Sequence, residues 1–129
     1  MRIEGHNREW NAGDEAELEQ ILAFRDTVGG AQFWLSHPEL QHPFVAIRVS
    51  GGLCDVHYFP ETGHPGFRAL ATSPATHNQT VSFVYEGCDP SSGEDVPAEF
   101  VLSFSSAVTI AREFYRAQTL PASASWFEL

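Results

Sequence analysis

Phe44-Val45-Ala46-Ile47-Arg48-Val49-Ser50-Gly51-Gly52-Leu53-Cys54-Asp55-Val56-His57-Tyr58-Phe59 is the stretch on which the architecture turns. Gly51-Gly52 is a two-residue turn that tolerates positive φ at both positions, so the flanking runs predict a tight β-hairpin. Pairing Ser50 with Leu53 sets the register. Val45, Ile47 and Val49 then lie beside Tyr58, Val56 and Cys54, a core face. On the opposite face Arg48 meets Asp55, Ala46 meets His57, and Phe44 meets Phe59. One register thus yields both an opposite-charge pair and an aromatic pair, the cross-strand contacts that stabilise a sheet.

Outward from the hairpin, Asp14-x-x-Glu17 has the form of a capping box, and Leu18, Ile21, Leu22 and Val28 recur at helical spacing, which predicts a helix from Asp14 to Val28. Gly29-Gly30 ends it. A strand from Gln32 to Ser36 and a Pro-rich turn, His37 to Pro43, lead into the hairpin. Beyond the loop Pro60 to Gly66, alternation predicts strands over Phe67–Thr72 and Thr80–Glu86. Gly87 to Asp95 reads as an exposed acidic loop, and Val96–Leu102 as a returning strand. Ser103 is the expected N-cap of a helix over Phe104–Ala117, whose apolar stripe is Ala107, Ile110, Ala111, Phe114 and Tyr115. Pro121 blocks continuation, and Ala124–Glu128 closes the chain as a strand. Residues 1–129 are expected to form one α+β domain, a mostly antiparallel sheet of roughly five or six strands with two helices against it, in the order α-β-β-β-β-β-(β)-α-β.

The charge balance narrows function. Seventeen acidic residues oppose seven basic ones, for a formal net charge of −10, and every basic residue is Arg. Such a field repels phosphate backbones and anionic membranes and attracts basic proteins. No apolar run approaches the ~18 residues of a membrane span, and the N-terminal residues lack a signal-peptide hydrophobic region, so a cytoplasmic location is expected. Cys54 and Cys88 have no framework spacing and read as reduced thiols. His37-Pro38-Glu39 matches half of the zinc nucleobase deaminase motif, but the paired cysteines that complete it are missing. No nucleophile elbow or phosphate loop is present. Neither a catalytic residue nor a metal or cofactor site is expected, and the chain is read as a non-enzyme.

The carboxy-terminal third carries a resemblance. Leu102-Ser103, the Ala-rich helix, Glu113-Phe114-Tyr115, then Pro121 and Trp126 resemble the first immunity-protein family of bacterial polymorphic toxin systems. The likeness extends over most of the chain in length and element order, with its residue-level support in positions 100–129. Where many relatives carry Gly before the Pro as a helix cap, this chain has Gln118. The resemblance implies a small α+β protein that binds and blocks a toxin, often of the deaminase superfamily, in a 1:1 complex. A nucleic-acid-acting toxin needs a basic substrate channel, which an acidic domain can occupy as a phosphate mimic. The expected partner-binding residues are Glu86, Asp89, Glu94 and Asp95 in the acidic loop, Glu61 in the 60–66 loop, and a solvated sheet patch at Asp55 and His57. Should recognition rest on shape instead, the hairpin face around Phe44, His57 and Phe59 is the alternative surface. The alternative class is a small-ligand-binding accessory domain without catalysis, its aromatics lining a pocket in the sheet.

Overall fold

The structure, a computed structural model, describes residues 1–72, 79–84, 91 and 93–129. Among them β1 (Arg2–Gly5) and β2 (Arg8–Asn11) precede α1 (Glu15–Leu22). Then follow β3 (Gly30–Ser36), β4 (Phe44–Ser50), β5 (Leu53–Phe59), β6 (Phe67–Leu70), β7 (Thr80–Phe83), β8 (Glu94–Pro97), a 3-10 turn (Ala98–Phe100), β9 (Leu102–Ser103), α2 (Phe104–Ala117) and β10 (Ser125–Glu128). The main sheet runs β10-β6-β5-β4-β3-β1-β2, with β9 also pairing β5, and β7 and β8 form a second, two-stranded sheet. Every pairing among the described residues is antiparallel. The class is α+β, with more strands than the sequence suggests.

The central hairpin has the expected register throughout, from Ser50↔Leu53 to Phe44↔Phe59. Strict alternation of burial along β4 follows, with Val45, Ile47 and Val49 buried on the face covered by the helices. β3 extends that face with Ala31, Phe33 and Leu35, and α2 closes it with Ala107, Ile110, Ala111 and Phe114. Completely burying each of the larger of these side chains contributes about 1.5–3 kcal/mol. A satellite cluster of Phe83, Val96 and Phe100 holds the small hairpin in place.

Three departures from the sequence reading have local causes. The N-terminal hairpin is invisible to hydrophobic alternation because its strands are short; Asn7 supplies its turn with φ 59°, a conformation Asn tolerates better than most. α1 stops at Leu22, not Val28. The Asp26 carboxylate accepts from the Val28 and Gly30 amides at 3.0 and 2.8 Å, an alternative to helical bonding. Arg25 meanwhile donates to the Leu22 and Phe24 carbonyls, both at 2.7 Å. The span Val96–Leu102 is not one strand: Ala98–Phe100 coils into the 3-10 turn, burying Ala98 and Phe100. Of the strand expected to Glu86, the described part ends at Phe83; Tyr85 and Glu86 lie outside the described residues.

Both helix starts are as read: Asp14 Oδ1 accepts from Glu17 N at 2.8 Å, and Ser103 Oγ from Ser106 N at 3.2 Å. At the end of α2, Gln118 adopts left-handed geometry, φ 52° and ψ 40°, and its amide donates to the Phe114 carbonyl at 2.8 Å. Trp126 Nε1 reaches back to donate to Pro121 O at 2.8 Å while its ring packs against the core beside Tyr58. A Cβ at a left-handed cap is disfavoured, so Gln118→Gly is expected to stabilise the fold by about 1 kcal/mol. A rise in the urea midpoint at unchanged slope is the check; an unchanged or lower midpoint refutes the cap argument.

Candidate binding face

The helices cover one face of the main sheet, so the other faces outward. Because side chains alternate, the register places Phe127, Arg68, His57, Ala46, Trp34, Glu4 and Glu9 in one row across β10, β6, β5, β4, β3, β1 and β2. A neighbouring row holds Asp55, Arg48 and Gln32, and another Phe59, Phe44 and Ser36. The small β7–β8 hairpin lies over one end of this face.

At the covered end Asp55 has no exposed surface. Arg68 grips it with Nε to Oδ1 at 3.0 Å and Nη2 to Oδ2 at 3.3 Å. Arg48 donates to Oδ2 through Nε at 3.0 Å and through Nη2, and its Nη1 donates to Glu94. Two guanidiniums and two carboxylates therefore balance within one cluster. The Arg68 guanidinium also lies over the Phe100 ring, 4.4 Å from its centroid. Burial lowers the pKa of the adjacent His57 imidazole; Asp55 opposes that shift, and Arg68 and Arg48 add to it. Next in line, His57 stacks on Phe59 with centroids 5.9 Å apart, Phe59 on Phe44 at 4.6 Å, and Phe44 meets His42 at 5.2 Å. The result is a cavity of about 390 Å³ floored by Trp34, Phe44, Ala46, His57 and Phe59 and walled by Arg48, Arg68 and Glu94. A second basin of about 660 Å³ continues past Trp34 and Phe44 to Glu4, Glu39 and Leu40.

The sequence-expected partner residues do not form one patch. Asp55 is a buried ion-pair centre and not part of a solvated patch; His57 does line the groove, 19% exposed at its side chain. Glu94 is tied to Arg48, whereas Asp95, next in the strand, projects from the opposite side of β8. Glu61 sits exposed in the loop between β5 and β6. Glu86 and Asp89 lie outside the described residues, as does Cys88. The deaminase-like tripeptide is a turn device: His37 Nδ1 accepts the Glu39 amide at 3.0 Å. Cys54 is completely buried, and burial pushes its thiol up to about 12, which keeps it protonated and unreactive. Among the described residues no group of three metal-ligating side chains converges, and no helix is long and apolar enough to cross a membrane.

Sequence reasoning missed Arg68 and Trp34. Alternation along Gln32–Ser36 carries a signal for Trp34, since it sets Gln32, Trp34 and Ser36 on one face. Arg68 carries none: its alignment with His57 depends on how the loop from Pro60 to Gly66 folds back. Comparison with protein-family models and with curated proteins returned no match.

Two outcomes follow from the cluster. Asp55→Ala strands two guanidiniums and is expected to cost about 3 kcal/mol, the low end for breaking a buried pair because both arginines keep some solvent contact; a melting curve within error of wild type refutes it. His57 resists protonation in the fold, whereas the unfolded chain takes the proton near pH 6.5. Its contribution to stability is therefore complete above that pH and is lost as pH falls through 6.5 toward the lower folded value. Urea titrations at a series of pH values should show a shallower loss between pH 7 and 5 for His57→Gln than for wild type; equal slopes exclude His57 as a source of the acid sensitivity.

Proposed function

We propose that this chain is a non-catalytic inhibitor of a basic protein, an immunity protein whose partner is a nucleic-acid-acting bacterial toxin of the deaminase type. The observation that carries this is how its charges are used. All seven arginines are engaged within the chain: Arg2 with Glu4, Arg8 over Phe24, Arg25 on backbone carbonyls, Arg48 and Arg68 on Asp55, Arg112 with Glu19 and Arg116 with Glu15. Glu9, Glu17, Glu39, Glu61, Asp95 and Glu99 lie exposed, so the negative excess faces solvent. The surface attracts a cationic protein and repels the nucleic acid that such a protein binds. An aromatic sheet face bordered by polar groups suits a protein interface, whose centre favours aromatics and whose rim is polar. The carboxy-terminal likeness to immunity proteins points the same way.

A small-ligand-binding accessory domain is the alternative. Its support is the size of the groove, which falls within the ~300–1,000 Å³ range of ligand sites. Against it, the arginines that would hold an anion are already matched by Asp55 and Glu94.

The test is to mix the chain with the toxin domain encoded beside its gene and follow activity and association. A 1:1 complex that abolishes toxin activity is expected. Its association rate should fall by tenfold or more as the screening length shrinks from about 30 Å at 0.01 M salt to about 8 Å near physiological salt, with dissociation changing less. A toxin that stays active in the presence of excess chain sinks the proposal, and an association rate independent of salt removes charge as its basis.

A further inference from the structure

On the outer face of the sheet Phe44 and Ala46 of β4 and Phe59 and His57 of β5 occupy the four corners of one square. Three corners are rings, and they stack in an unbroken run. Phe44 and Phe59 pair across the strands with centroids 4.6 Å apart and planes 21° apart, and Phe59 and His57 pair along β5 at 5.9 Å and 18°. The fourth corner is Ala46, partly exposed beneath the cavity of about 390 Å³. Its other neighbours on this face are large: Trp34 is its partner on β3, and Arg48 lies two residues further along β4. A ring standing over Ala46 would have the His57 imidazole on one side and the Trp34 indole on the other. Each would lie about one strand spacing away, ~4.8 Å, inside the ~4.5–7 Å range of stacked pairs. Both flanking groups have capacity left. The Trp34 indole makes no ring contact and no hydrogen bond among the described residues. His57 Nδ1 lies 3.8 Å from Asp55 Oδ1, beyond hydrogen-bond range.

We infer that this corner is a binding site for one uncharged aromatic ring, such as a phenol, which completes the square. The ring stacks on His57 as Phe44 stacks on Phe59. Planarity is selected, because a saturated ring has no π face to offer its neighbours. Charge is excluded by the polar wall, where the guanidiniums of Arg48 and Arg68 are already matched by Asp55 and Glu94. An anion would have to compete with those carboxylates, and a cation would meet the guanidiniums. A hydroxyl on the ring suits the neutral imidazole, which carries one donor and one acceptor, and the indole N–H, a donor. The site stands apart from the inhibitor reading. Its ring belongs either to a free small molecule or to an aromatic side chain of a partner, and the contacts are the same for both.

The experiment is a titration of the full-length ¹⁵N-labelled chain with 4-methylphenol, with the saturated 4-methylcyclohexanol and with the anionic 4-methylbenzoate. Saturable shifts of the Ala46 and His57 amides are expected with the phenol, and binding at least fivefold weaker with the other two. Ala46→Phe places a ring in the corner covalently and should abolish the response. Ala46→Leu fills the corner without a ring and should weaken the phenol at least fivefold. A phenol that leaves both amides unmoved, binds no better than the saturated alcohol, or binds both variants like wild type overturns the inference. The wild-type comparison decides even if a variant does not fold. The toxin domain then separates the two sources. Capture weakened at least tenfold by Ala46→Phe assigns the ring to the toxin, and unchanged capture assigns it to a free small molecule. If wild type captures no toxin, the inhibitor reading fails while the phenol result still decides the site.

Discussion

A carboxylate without solvent organises this molecule. Asp55, held between Arg48 and Arg68, is the point at which β4, β5 and β6 are joined through side chains as well as through backbone. Taking a carboxylate out of water costs several kcal/mol unless charge and hydrogen bonds are returned to it. Here both oxygens are occupied by guanidinium forks. Arg48 passes the connection on to Glu94, and Arg68 lies over Phe100, so the same ion cluster draws the β7–β8 hairpin and the 3-10 turn onto the outer face. An ordinary antiparallel sheet with one solvated face becomes, at one end, a sheet covered on both sides.

That partial cover explains why the outer face is a groove. The small hairpin walls one end and the turn at 37–43 the other, while His57, Phe59, Phe44 and Trp34 lie between them. The stacked rings of His57, Phe59 and Phe44 are half-buried, so they present a large contact area at little cost in side-chain freedom. The acids sit around it and not within it. The two faces of the sheet therefore differ: the helix side supplies cohesion, and the outer side carries the groove and the charges around it.

What was legible in the sequence was whatever depended on neighbours along the chain. Gly51-Gly52 sets the central hairpin, and Asp14 and Ser103 cap the two helices. The stripe in α2 and the closing strand at Trp126 also read directly. The ion pair of Arg48 with Asp55 followed from turn geometry alone. The burial of that pair did not, because it depends on Arg68 and on a hairpin arriving from distant residues. For the same reason the acids looked interchangeable as a solvated set, whereas in space Asp55 is interior, Glu94 bridges and Asp95 points away. Sequence gives charge; only tertiary structure tells which charges are already spoken for.

The strand order carries a further consequence. Among the described residues β2, the second strand of the N-terminal hairpin, and β10, the last strand, are the outer edges of the main sheet, and β3, β4 and β5, consecutive in the chain, form its middle. Amide protons should therefore exchange with solvent in a gradient, fastest at the edges and slowest in β4, where opening a bond requires unfolding most of the domain. The basin lined by Arg2, Glu4 and Gly5 of β1 lies toward the side that opens easily. That part of the sheet is the one best able to adjust, while the ion cluster toward the other end keeps the frame from following.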